Sequence, residues 1–247
     1  MKRVASAVLA VSLATGCSAS TPAAASKSSI TVFAASSLSK AFTQLGADFE
    51  AKHTGTKVTF SFAASSALAQ QVLAGAPADV FASASPRNMK QVTDAGDASD
   101  PKTFAHNVAE IAAAPGSAVT DLADLSRPGL KVALCDSSVP CGALADQVLR
   151  NAHVTVRPVT RGVDVASTLA AVANGSADAA IVYVTDVRAA GNKVTGIPIP
   201  AAVNASTAYE IATVKGSHDT ALAEAFEQLV LSAEGQATLA TAGFQRP

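Results

Sequence analysis

The sequence predicts an α/β protein with mainly parallel sheets, on three observations. Short apolar runs recur as buried strands, each run gives way to apolar residues at helical spacing, and the junctions carry Ser, Pro or Gly. Folds of this kind bind ligands beyond the carboxyl ends of their strands, against helix N-termini. At 247 residues, 49% of them apolar, the chain can bury a substantial core in one large domain or two modest ones.

The first unit is the run 29–34, then Ser36-Ser37, then Leu38, Ala41, Phe42, Leu45 and Phe49 on one helical face: a strand, a tight turn and a Ser-capped helix. Val58, Phe60 and Phe62 alternate as a second strand, 63–66 is its turn, and Leu68, Val72 and Leu73 continue on a helix that stops at Gly75-Ala76-Pro77. A third strand covers 79–83 and Ser85-Pro86 starts a helix. Further on, 108–114 is apolar and ends at Pro115-Gly116, and 130–134 is a strand entered from Arg127-Pro128-Gly129. Pro140-Cys141-Gly142 opens a helix carrying Leu144, Val148 and Leu149. A helix through Val165, Leu169 and Val172 ends at Asn174-Gly175, a favourable left-handed stop, and the buried strand 179–182 ends at Tyr183. No solenoid repeat interrupts this alternation.

Residues 1–17 have the layout of a secretion signal: Lys2 and Arg3, an apolar stretch from Val4 to Leu13, and Ala14-Thr15-Gly16-Cys17. The block resembles the lipobox of bacterial lipoproteins, although Ala14 stands where Leu is usual. That resemblance implies that Cys17 becomes the lipidated N-terminus, while ordinary secretion with cleavage nearby is the alternative. The apolar stretch is too short to span a membrane. Residues 18–28, rich in Ser, Ala, Thr and Pro, then read as a flexible tether. With Cys17 set aside, Cys135 and Cys141 remain; their spacing matches no common zinc pattern, and outside the cytoplasm they either bridge or stay free.

Charged residues are 15% of the chain, the formal net charge is −1 and Trp is absent, so neither a basic footprint nor a stacking platform for nucleic acid is present. No nucleophile elbow, Walker loop, dinucleotide fingerprint or zinc-protease motif occurs. His53, His106, His153 and His218 share no motif and fall in segments read as loops or helix ends. Glu224 and Glu227 lie on a polar helix face. What recurs is a Ser pair at a strand-to-helix junction, Ser36-Ser37 and Ser65-Ser66, each beside helix N–H groups that favour an anion. Taken alone, such serines are more often helix caps than ligands.

Three strings change that balance: Ile30-Thr31-Val32-Phe33-Ala34-Ala35-Ser36-Ser37-Leu38, Ser61-Phe62-Ala63-Ala64-Ser65-Ser66-Ala67-Leu68-Ala69, and Gly75-Ala76-Pro77-Ala78-Asp79-Val80-Phe81. With Val139-Pro140-Cys141-Gly142, Val163-Asp164-Val165, Ala180-Ile181-Val182-Tyr183-Val184-Thr185-Asp186 and Ala242-Gly243-Phe244, they resemble the molybdate-binding proteins of ABC importers across nearly all of 29–247. The resemblance implies a two-domain periplasmic binding-protein fold of type II with the ligand cleft between domains: domain I from 29–106 plus 207–247, domain II from 107–206. It implies an oxyanion site in which Ser37 and Ser65 donate hydroxyl and backbone hydrogens, Cys141 and Val165 donate backbone N–H groups, and Tyr183 donates its phenol. The family usually has Ala at the position of Cys141, and a backbone donor survives that change.

A fully deprotonated oxyanion offers only acceptors, so a site of donors suits it, and none of the five positions is charged. The function so implied is an exported, lipid-anchored, monomeric protein without cofactor or catalytic activity. It would capture molybdate, and tungstate with it, and pass it to an ABC importer permease at the outer face of the membrane. The rivals are a carrier of sulfate or another tetrahedral oxyanion, a secreted hydrolase built on Ser37 or Ser65 with Asp164 or a His, and a cytoplasmic sensing domain.

Overall fold

A computed structural model of the protein describes residues 28–247. The expected signal peptide, the lipidation site Cys17 and all but the last residue of the expected tether lie outside that range. Among the described residues, no helix is long and apolar enough to cross a membrane.

In chain order the elements are β1 (Ser28–Ala35), α1 (Ser39–Lys52), β2 (Thr56–Ala63), α2 (Ser65–Leu73), β3 (Val80–Ser83), α3 (Pro86–Asp94) and β4 (Lys102–Ala113). They continue with β5 (Val132–Cys135), α4 (Pro140–Asn151), β6 (Thr160–Gly162), α5 (Val165–Ala173), β7 (Ala179–Tyr183) and α6 (Val184–Ala190). The last are β8 (Thr195–Pro198), β9 (Ser206–Thr213), α7 (Thr220–Leu231) and α8 (Ala233–Ala242). The strands join in the order β2-β1-β3-β9-β4-β7-β5-β6, with β8 paired to β4. Ser28 belongs to β1 rather than to the tether: it pairs with Thr56, and the two hydroxyls are 3.2 Å apart.

The expectation of mainly parallel sheets needs correction. Strand β1 is parallel to β2 and β3, and β5 to β6 and β7, but β9 is antiparallel to β3 and β4, and β4 to β7 and β8. The cause lies in the two long strands that carry the chain between the halves of the sheet. From Lys102 to Val108, β4 pairs with β9; from Ala109 to Ala113 it pairs with β7 and β8. Its first half was not foreseen, and it takes His106 out of a loop and into a strand.

Each half has its own apolar interior. In the first, Ile30, Val32 and Ala34 face a cluster with Phe42, Phe104, Tyr209 and Phe226, while Phe33 faces the opposite cluster of Leu68, Phe81 and Met89. The alternation follows from the pleat, and helices cover both faces. The second half buries Ile111, Leu134, Val148, Val172 and Ile181 together. Strand β7 is buried at all five positions, so its apolar run continues without alternation.

Candidate functional site

The carboxyl ends of β1, β2, β5 and β7 lead into a small cavity of about 10 Å³. Ala35, Ser36, Ser37, Ala63, Ala64, Ser65 and Ala84 line it from the first half, and Pro140, Cys141, Asp164, Val165 and Tyr183 from the second. All five residues expected to bind an oxyanion, Ser37, Ser65, Cys141, Val165 and Tyr183, therefore line one cavity. The lining contains no Lys or Arg, and Asp164 is its one charged residue.

Helix starts supply the backbone donors. Leu68, Ala143 and Thr168 donate the first backbone bonds of α2, α4 and α5, to Ala64, Val139 and Asp164. The N–H groups of Ser65, Cys141 and Val165 precede those bonds and have no acceptor within their helices. Pro140 at the start of α4 has no N–H to leave unpaired. The Asp164 carboxylate is itself committed: its Oδ1 accepts the Ser167 N–H at 2.8 Å as the N-cap of α5.

The serines do not cap. A short 3₁₀ turn (Ser36–Leu38) precedes α1, and neither that turn, α1 nor α2 has a side-chain cap. Instead Ser65 Oγ accepts the Ala84 N–H at 2.9 Å, which leaves its own proton free to point elsewhere. Ser37 Oγ is 2.8 Å from the hydroxyl of Tyr209. Among the described residues, neither serine is hydrogen-bonded to a His or a carboxylate. Tyr183 is 1% exposed, and its hydroxyl is the one buried side-chain polar atom without a hydrogen-bond partner among the described residues. A phenol stripped of water in this way calls for an acceptor. Burial pushes its pKa well up, followed by the effects of Tyr209 and Asp186, so it enters the site as a neutral donor.

Cys135 and Cys141 are disulfide-bonded, with Cα atoms 5.8 Å apart. The bridge ties the end of β5 to the first turn of α4. In the same turn a Cβ on Gly142 would fall 1.9 Å from the Asp136 carbonyl oxygen, so the residue there must be Gly. Tyr209, on β9, was absent from the sequence-based site. Its signal was the alternation of Thr207, Tyr209 and Ile211 with Ala208 and Glu210, which marks a strand but not a partner for Ser37. Among the described residues, no His/Cys/Asp/Glu group is placed to hold a metal ion.

Asp186 lies behind the site. Its Oδ2 accepts the Tyr183 N–H at 3.1 Å, and its carboxyl is raised to about 7, chiefly by burial and further by the charge of Asp164. The unfolded chain loses this proton in the ordinary carboxylate range near 3.8, whereas the folded chain holds it to about 7. Between those values the native state binds more protons, so the Asp186 contribution to stability falls as pH rises through the window. Urea unfolding from pH 4 to pH 8 should show Asp186→Asn with a flatter profile than the parent. A profile with unchanged slope would contradict this account.

An α/β molecule whose sheet has two halves joined by crossing strands, with a donor-lined cavity between those halves, has the architecture of the periplasmic binding proteins. The Azotobacter vinelandii periplasmic molybdate-binding protein shares the fold, with a TM-score of 0.80 at 23% identity, covering 88% of this chain and 99% of that one. The chain belongs to the family of bacterial extracellular solute-binding proteins, whose model matches residues 30–245. The molybdate-binding protein ModA of Mycobacterium tuberculosis is 42% identical over 222 residues, 89% of this chain and 85% of that protein. The Haemophilus influenzae protein of the same name is 33% identical over 233 residues, 89% of this chain and 91% of its own length.

Proposed function

We propose that this chain captures molybdate, and tungstate with it, outside the cell and delivers it to an ABC importer. The observation that carries the reading is the state of the buried hydroxyls. Ser65 has an oxygen already engaged by an N–H, and Tyr183 has a hydroxyl with no partner, so both are poised to donate into the cavity. The helix N-termini around them add backbone donors without a cation. Such a site suits an anion with no proton of its own near neutral pH, and a protonated phosphate would find donors where it needs an acceptor.

The chain crosses between residues 29–106 plus 207–247 and residues 107–206 along β4 and again at the start of β9. We read these as two domains that hinge together over the anion, the closed form being what the importer recognises. Calorimetry of the ligand-free protein with four anions tests the reading. Molybdate and tungstate should bind alike, sulfate weakly because its shorter bonds leave some donors stretched, and phosphate should be rejected, with an affinity far below that of molybdate. Phosphate binding as tight as molybdate would overturn it.

Cys141 is proposed to act through its backbone. Cys141→Ala removes the bridge to Cys135 and should cost about 2 kcal/mol of stability by the loop-entropy account. Molybdate affinity should stay within tenfold, ~1.4 kcal/mol, and a larger loss would give the bridge a part in shaping the site.

For the exported protein we propose a lipid anchor on Cys17 and a monomeric state. In fractionated cells, Cys17→Ser should leave the membrane fraction for the soluble one; retention of the variant on the membrane would rule the anchor out.

A further inference from the structure

We infer that Tyr209 and Asn107 are positioning residues that lock the Ser37 hydroxyl as a donor toward the cavity, and thereby enforce discrimination against protonated oxyanions. The inference rests on the oxyanion reading of the site and extends it to two residues that do not line the cavity. It follows from counting hydrogens along a buried chain of side chains.

The chain begins at Asn107, 1% exposed, just before β4 exchanges β9 for β7 and β8 as its partners. Asn107 Oδ1 accepts the Val108 N–H at 3.1 Å. A backbone N–H can only donate, so this contact fixes which side of the amide is oxygen. The Nδ2 group then faces Thr185 Oγ1 at 2.8 Å and the Tyr209 hydroxyl at 3.3 Å, and an amide nitrogen can only donate. The Tyr209 oxygen is therefore an acceptor toward Asn107. Two hydroxyls remain near it: Ser37 Oγ at 2.8 Å, and that of Tyr183, which makes no hydrogen bond of proper geometry, so the single proton of Tyr209 goes to Ser37. Ser37 Oγ accepts that proton, and its own hydrogen is directed away from Tyr209, on a residue that lines the cavity.

Every link is buried, with Tyr209 fully so and Thr185 at 3% and Ser37 at 8% exposure, so water does not offer a competing partner along the chain. The Tyr209 ring is held edge-on by Phe104, Tyr183 and Phe244, which keeps its hydroxyl aimed. Ser65 reaches the same state by a simpler route, through the Ala84 N–H. Two serines from different segments are thus each made donors by a nitrogen that cannot accept, Ser65 directly by the Ala84 N–H and Ser37 through Tyr209 by the Asn107 amide.

The quantity to measure is the ratio of molybdate to inorganic phosphate affinity, by calorimetry near neutral pH. Tyr209→Phe keeps the ring and frees Ser37 to turn its lone pairs into the cavity, so the ratio should fall by about tenfold. Asn107→Asp places an acceptor where Nδ2 stood. Tyr209 would then donate to the introduced carboxylate and Ser37 to Tyr209, leaving Ser37 an acceptor toward the ligand. The ratio should fall further than in Tyr209→Phe, whereas the added charge by itself weakens both anions together. Thermal midpoints of the ligand-free proteins report folding separately, and either variant that folds decides the matter. A wild-type ratio in a folded variant overturns the inference while leaving the molybdate reading intact. Failure of the wild type to bind molybdate overturns both.

Discussion

Removing the hydroxyl of Tyr183 is expected to weaken molybdate binding by on the order of 1.5–3 kcal/mol, roughly ten- to hundred-fold, the range for a hydrogen bond to a charged partner. Ser37→Ala and Ser65→Ala should fall in the same range, and the three losses need not add because they act on one ligand. The variants differ in what they do to the empty protein. Tyr183 leaves a buried hydroxyl unpartnered, so Tyr183→Phe removes a polar group that gains nothing without ligand. Its ligand-free thermal midpoint should be unchanged or higher. Ser65→Ala does the reverse, because it strips the Ala84 N–H of its acceptor at a position 1% exposed, and should also lower stability. Calorimetry and melting together check this: wild-type affinity in both serine variants, or a destabilised Tyr183→Phe, would show that the cage is misassigned.

Phe42→Ala is expected to cost about 3–5 kcal/mol of folding stability, the range for truncating a fully buried aromatic ring. Phe42 is wholly buried on α1, four residues beyond Leu38, and its ring meets those of Phe60, Phe104 and Phe226 at 5.8–6.4 Å between centroids. These neighbours come from β2, β4 and α7, three elements that cannot all close over one void. The thermal midpoint should drop by roughly 10 °C for a domain of this size. Phe42→Leu should lose much less. Equal losses in the two variants would mean that the site collapses around the smaller side chain.

Much of the fold was legible because its signals are local. Ser85-Pro86 starts α3 and Pro140 starts α4, and Gly175, at a φ of +79°, follows α5 where the left-handed stop was expected. The serines of the site were found through their place between strand and helix, and the family strings sharpened the choice. What escaped was set by distant partners. The start of β4 mixes Lys102, Thr103, His106 and Asn107 with apolar residues, since it is a strand only by virtue of pairing with the far-removed β9. Tyr209 escaped for the same reason, its bond to Ser37 spanning 172 residues. The bridge between Cys135 and Cys141 depends on the turn that brings their Cα atoms to 5.8 Å, which spacing alone left open.

The lack of any Lys or Arg in the cavity lining bears on how the protein meets a changing medium. Dissolved ions weaken attraction between exposed charges over a Debye length of ~10 Å at 0.1 M, but they do not enter a closed contact between N–H or O–H groups and an oxygen. Residence of the anion should therefore vary little between dilute and saline surroundings. The same lack of a cation forgoes long-range guidance, so encounter would proceed at the pace of unassisted diffusion, and retention once bound would do the work that a cationic funnel does elsewhere.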